Sequence, residues 1–165
     1  MQPLRSALEA VLRGHTAVVG VGNPDHGDDG AGVRLAEKLL AAGCANVFVA
    51  GTTPEQTAPS LARLGFERML FLDAVEFGGA PGDVVLLGAR EIQSRFPQVS
   101  THKLSLGMLA RMLEVDRGTQ IWLLGMQPGS LRGNTLSEVM EATVAALTIL
   151  LQEIMQPTPR GWEKR

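Results

Sequence analysis

The chain has 165 residues, 45% of them hydrophobic and 19% charged, which suits one domain that can bury a core without disulfides or structural metals. A formal net charge of −2 lacks the basic surface that neutralises phosphates, so no nucleic-acid partner is expected. The single Cys44 cannot form an internal disulfide, no apolar run approaches the roughly 20 residues that span a bilayer, and the N-terminus lacks a signal-peptide pattern; no membrane partner and a cytoplasmic location are expected.

Leu4, Ala7, Leu8, Val11 and Leu12 recur at helical spacing, so an amphipathic helix opens the chain and Gly14 ends it. Residues 16–22 (TAVVGVG) read as a strand buried on both faces. A loop then leads into a helix bearing Val33, Ala36, Leu39 and Leu40, closed by Gly43. Residues 46–51 form a second strand, residues 53–64 a helix with proline in its first turn, and residues 68–73 a third strand. The turn cluster 78–83 is too short for a helical crossover, so the strand at 84–87 should run antiparallel to the third. A short helix at 89–96, a loop from Pro97, a helix over 104–113, a fifth strand at 120–124 and a final helix over 136–154 complete the pattern. Residues 156–165 are expected to be a loose tail.

This alternation predicts an α/β three-layer sandwich. Its twisted, mostly parallel five-stranded sheet has one antiparallel strand and helices on both faces. The expected organisation is a single domain over 1–165, with a core at 16–155 and an extra N-terminal helix within 1–14. Ligands of such sheets bind beyond the carboxyl ends of the strands, near the point where strand order reverses. The loops after Asn23, at Asp73, at 97–102 and after Gln127 should converge there.

Asp29, Asp73 and His102 fall in three of those loops. Two carboxylates and an imidazole suit either a divalent transition metal or acid–base chemistry. Each also has an ordinary structural reading: an aspartate can cap a helix or a turn, and a histidine can be a satisfied helix-start residue. The stretch from Gly20 to Gly32 is not a dinucleotide loop, because G-x-G-x-x-G would need glycine at Asp25 and its aspartates would repel a pyrophosphate. Gly30 and Gly32 each cost a helix up to about 1 kcal/mol against alanine, which makes sense if another chain must approach the backbone closely. Asn23 and Gln127 are candidate contacts for such a segment, with turn structure as the alternative. His26 is either a supplementary ligand or a solvated loop residue. No G-x-S-x-G elbow or H-E-x-x-H pair is present, and Cys44 sits at a helix C-terminus, where a thiol is not activated.

Four groups of residues together resemble the hydrogenase maturation endopeptidases. They are Gly20-x-Gly22-Asn23 with Asp28-Asp29-Gly30-x-Gly32, then Leu72-Asp73-Ala74, then Ser100-Thr101-His102, then Leu124-Gly125-Met126-Gln127-Pro128. Thr101-His102 followed by Lys103-Leu104-Ser105-Leu106 is most similar to the branch that processes formate-hydrogenlyase-type large subunits. The resemblance implies an endopeptidase that removes a C-terminal extension from the large-subunit precursor of a nickel–iron hydrogenase after nickel insertion. It implies that Asp29, Asp73 and His102 contact the nickel carried by the substrate, an ion the enzyme does not hold permanently. Asp29 and Asp73 are the expected catalytic residues, either beside the nickel or as an aspartic-type pair sharing a proton. A non-catalytic checkpoint that binds the nickel-loaded precursor is the alternative. A small-molecule hydrolase ranks third, because a phosphate or ribose site would need arginines where these loops carry acids.

Overall fold

The computed structural model describes residues 2–95, 109–111, 113–114 and 118–156. The loop at 97–102 with His102, most of the helix expected over 104–113, and the tail at 157–165 lie outside the described residues. Helix α1 (Gln2–Val11) precedes β1 (Thr16–Val21), a 3-10 turn (Gly27–Gly30), α2 (Ala31–Ala41), β2 (Val47–Gly51), α3 (Pro54–Arg63), β3 (Arg68–Ala74), β4 (Val84–Gly88), α4 (Ala89–Arg95), β5 (Gln120–Met126) and α5 (Glu138–Met155). No described helix is long and apolar enough to cross a membrane.

The five strands are ordered β2-β1-β3-β5-β4, parallel except for the β4–β5 pair. The expected sheet is therefore observed, and β4 runs antiparallel as the short turn requires. Its hydrogen-bonded neighbour is β5, which inserts between β3 and β4. Every residue of β1 is buried, because strand alternation sends Ala17, Val19 and Val21 to one face and Val18 to the other. On the first face they meet α3, α4 and the helical residues Leu109, Ala110 and Leu113. On the second, α1, α2 and α5 pack over Val18, Leu70, Leu72 and Leu124. Leu8 and Val11 of the N-terminal helix are buried in that second layer, and Arg5 pairs with Glu153 of α5. Of the apolar residues named for α2, Val33, Ala36 and Leu39 are buried and Leu40 is 46% exposed.

The glycines of the first loop have a different cause from the one expected. A Cβ on Gly32 would lie 1.9 Å from the Leu72 carbonyl oxygen and 2.5 Å from that of Val21. One on Gly30 would lie 2.6 Å from Pro24 Cα, and one on Gly20 2.6 Å from Ala36 Cβ. The chain that approaches is this chain's own: α2 starts directly against β1 and β3, and only missing side chains permit that distance. Gly22, at φ +131°, lets the strand turn back under Asp29, whose carbonyl oxygen would stand 1.9 Å from a Cβ there.

Gly32→Ala therefore sets helix propensity against packing. Propensity alone would stabilise the variant by about 1 kcal/mol. Overpacking against two backbone carbonyls costs about 1–3 kcal/mol or more and should win. Urea unfolding should show a lower midpoint, and a raised midpoint would contradict this packing.

Candidate active site

Connections from β1 and β3 leave the sheet in opposite directions, β1 towards β2 and β3 towards the β5–β4 side. The carboxyl ends of these adjacent strands thus flank the point where strand order reverses, the usual ligand crevice of an open α/β sheet. Asp29 stands in the 3-10 turn after β1, and Asp73 is the penultimate residue of β3. Alternation that turns Met69 and Phe71 to the α3 layer turns Asp73 the same way.

Both acids are buried, Asp29 at 8% exposure and Asp73 at 4%. Asp29 Oδ2 accepts a hydrogen bond from the Asn23 amide at 3.0 Å. Among the described residues, Asp73 Oδ1 has no hydrogen-bond partner. It lies 3.7 Å from the place a Cβ would take on Gly22, so the glycine that admits the Asp29 carbonyl also faces the Asp73 carboxyl. The Asp73 pKa is raised well above the usual carboxylate value, first by burial and then by the negative charge of Asp29, against one lowering hydrogen bond from the Ala74 amide. The two acids are therefore electrostatic neighbours although 44 residues of sequence separate them (29 to 73). Among the described residues, no group of three or more His, Cys, Asp or Glu side chains could hold a metal ion. His102, the third expected contact, lies outside the described residues.

Asp28 is a residue whose importance the sequence did not reveal. It is fully buried, and its carboxylate accepts from the amides of Gly129, Ser130 and Ser137 and from the Ser137 hydroxyl, at 2.7–3.0 Å. Burial opposes its ionisation, but these hydrogen bonds prevail and hold its pKa below the usual value. Adjacent aspartates thus have opposite surroundings. Asp28 is saturated with donors; Asp29, beside the crevice, has one among the described residues.

Asn23 and Gln127 take the turn-structure alternative. Asn23 Oδ1 accepts from the Asp25 amide at 2.9 Å, an Asx turn. The buried Gln127 accepts from the amides of Phe77 and Gly79 and donates to Glu76, which organises the turn after β3. His26 is exposed and makes no capping hydrogen bond, in keeping with a solvated loop residue. Cys44 is buried, and burial raises its pKa, so its thiol is not an activated nucleophile. Among the described residues, Glu55 Oε2, in the first turn of α3, is the other buried carboxylate oxygen without a partner.

A family model described as hydrogenase maturation protease matches residues 33–155, a stretch that contains Asp73 and His102 and begins after Asp29. The hydrogenase 3 maturation protease of Escherichia coli (strain K12) is 38% identical over 110 residues, which are 66% of this chain and 69% of that protein. The crystal structure of a NiFe hydrogenase maturation protease, HycI from Thermococcus kodakarensis KOD1, matches with a TM-score of 0.79 at 30% identity, over 90% of this chain and 98% of that one. The solution structure of the endopeptidase HycI from Escherichia coli matches with a TM-score of 0.69 at 29% identity, over 82% of this chain and 88% of that one. With three-quarters of its length inside the family model, this chain belongs to the hydrogenase maturation proteases.

Proposed function

We propose that this protease removes a C-terminal extension from the large-subunit precursor of a nickel–iron hydrogenase once nickel is in place, and that Asp29 and Asp73 recognise the ion the precursor carries. The observation that supports this reading is the buried carboxylate pair, one oxygen of which has no partner among the described residues. A buried acceptor without a donor costs about 1–3 kcal/mol, a cost that an arriving cation offsets. His102 is the third contact in this proposal. A reducing cytoplasm suits the lone, buried Cys44.

In this reading the precursor brings its nickel into the crevice between β1 and β3 with the scissile peptide beside it. Asp29, held by the Asn23 amide, enters the ion's coordination, and Asp73 gives up its proton to solvent and follows. Water then adds to the peptide carbonyl, which the ion would polarise; a carboxylate takes the proton that water loses and returns it to the amide nitrogen as the C–N bond breaks. An aspartic-type mechanism on the same residues would instead keep one proton shared between Asp29 and Asp73.

Mass spectrometry of a nickel-loaded precursor should show loss of the C-terminal extension with the wild-type enzyme and none with Asp29→Asn. Nickel-free precursor should stay intact in both cases. Undiminished processing by the variant would refute the assignment of Asp29.

The raised pKa of Asp73 separates the two mechanisms. Gripping the ion needs an ionised Asp73, so kcat/KM for the precursor should rise with pH through that pKa. A proton-sharing pair would lose activity over the same range, and such a falling profile would exclude the ion-gripping route.

Asp73 also sets the sign of a stability effect. A carboxyl whose pKa is higher in the folded state binds its proton more tightly when folded. Stability is then greatest below the unfolded pKa and declines as pH rises through the folded one. Asp73→Asn removes that decline, so it should gain more in melting temperature at pH 8 than at pH 5 while losing cleavage. An equal change at both pH values would contradict the burial argument.

A further inference from the structure

We infer that Asp28 is a positioning residue of the peptidase reaction, whose carboxylate locks the loop at 129–137 to the turn Gly27–Gly30 and so fixes where Asp29 stands. The inference rests on the function proposed above and assigns Asp28 no contact with the substrate.

Six hydrogen bonds join the two segments. Asp28 Oδ2 accepts from the Gly129 amide at 2.8 Å, the Ser130 amide at 3.0 Å and the Ser137 hydroxyl at 2.7 Å, and Oδ1 accepts from the Ser137 amide at 2.7 Å. In return, the Gly27 amide donates to the Gly133 carbonyl at 2.6 Å and the Asp28 amide to the Ser130 carbonyl at 2.8 Å. The contact is too close for a side chain on Gly27, whose Cβ would lie 2.7–2.9 Å from backbone atoms of Ser130 and Arg132. Ser137 is also the N-cap of α5, with its hydroxyl accepting from the Met140 amide. A continuous path thus runs from the start of α5 through Ser137 and Asp28 to Asp29, and from Asp29 to the Asn23 amide.

The arrangement explains why an acid is needed rather than an amide. Donors meet both oxygens of Asp28, so either orientation of an asparagine would set its NH2 against an N–H. No flip relieves the conflict, and the loop must separate from the turn. Asp29 lies one residue away, and a shift of about 1 Å in a group that positions reacting atoms can cost about 100-fold in rate. The loop also presents Leu131, half exposed, and the exposed Arg132 beside the Asp29 turn, so its placement shapes the rim the precursor meets.

The test compares Asp28→Asn, Ser137→Ala and Ser137→Thr with the wild type on nickel-loaded precursor, each assayed well below its own melting temperature. Asp28→Asn should lower kcat by about 30-fold or more, with KM changed by less than about threefold. Ser137→Ala, which keeps the three backbone donors, should lower kcat by about threefold, and Ser137→Thr, which restores the hydroxyl, should recover it. A merely structural role would lower the melting temperature and leave kcat of the folded enzyme unchanged. A folded Asp28→Asn with kcat within twofold of wild type overturns the inference. Should that variant not fold, a Ser137→Ala enzyme as fast as wild type overturns it. Amide hydrogen exchange distinguishes this failure from failure of the proposed function: even if the wild type leaves the precursor intact, Ser137→Ala should speed exchange at both Gly27 and Ser130. Unchanged exchange at either overturns the coupling.

Discussion

Asp73 carries the central physical constraint of this molecule. Its carboxyl group lies at the end of a central strand, buried beside another acid and with one oxygen that no described residue satisfies. A protein with a net stability of about 5–15 kcal/mol does not bury two adjacent acids for the sake of folding. Burial and the like charge of Asp29 both oppose ionisation of Asp73, so this carboxyl is poised to change state when positive charge arrives. Perturbed acids in a crevice mark functional sites for this reason.

Much of the surrounding architecture sustains that arrangement. Gly20, Gly22, Gly30 and Gly32 let α2 and its preceding turn settle against β1 and β3, and larger residues would hold the Asp29 turn away from Asp73. Asp28 then ties the turn to the segment before α5, so that elements from both ends of the chain define one side of the crevice. Two neighbouring aspartates divide the work: one fully hydrogen-bonded and holding the loop at 129–137, the next with one side-chain hydrogen bond among the described residues.

The strands were legible in the sequence because short apolar runs and interrupted helical periodicity are local signals. The direction of β4 followed from the brevity of the turn at 78–83. Its neighbour did not, since nothing local in the 120–124 segment says that it slips between two strands formed earlier. Asp29 and Asp73 could be singled out because they stand at boundaries of elements that topology brings to one face. Asp28 could not, because its partners lie 101–109 residues further along, in a stretch of glycine and serine with no distinguishing pattern. The glycines were visible as an anomaly but their cause was misjudged. Helix propensity reveals that they are costly, and only the backbone distances show which chain comes close.

The most direct measurement of the central claim is nickel X-ray absorption on the loaded precursor, alone and freeze-quenched with stoichiometric enzyme. Entry of Asp29 and Asp73 into the ion's coordination predicts added oxygen ligands in the first shell with the wild type. It predicts none with an enzyme carrying both Asp29→Asn and Asp73→Asn. Identical spectra with and without wild-type enzyme, in a complex shown to form by co-elution, would contradict the account.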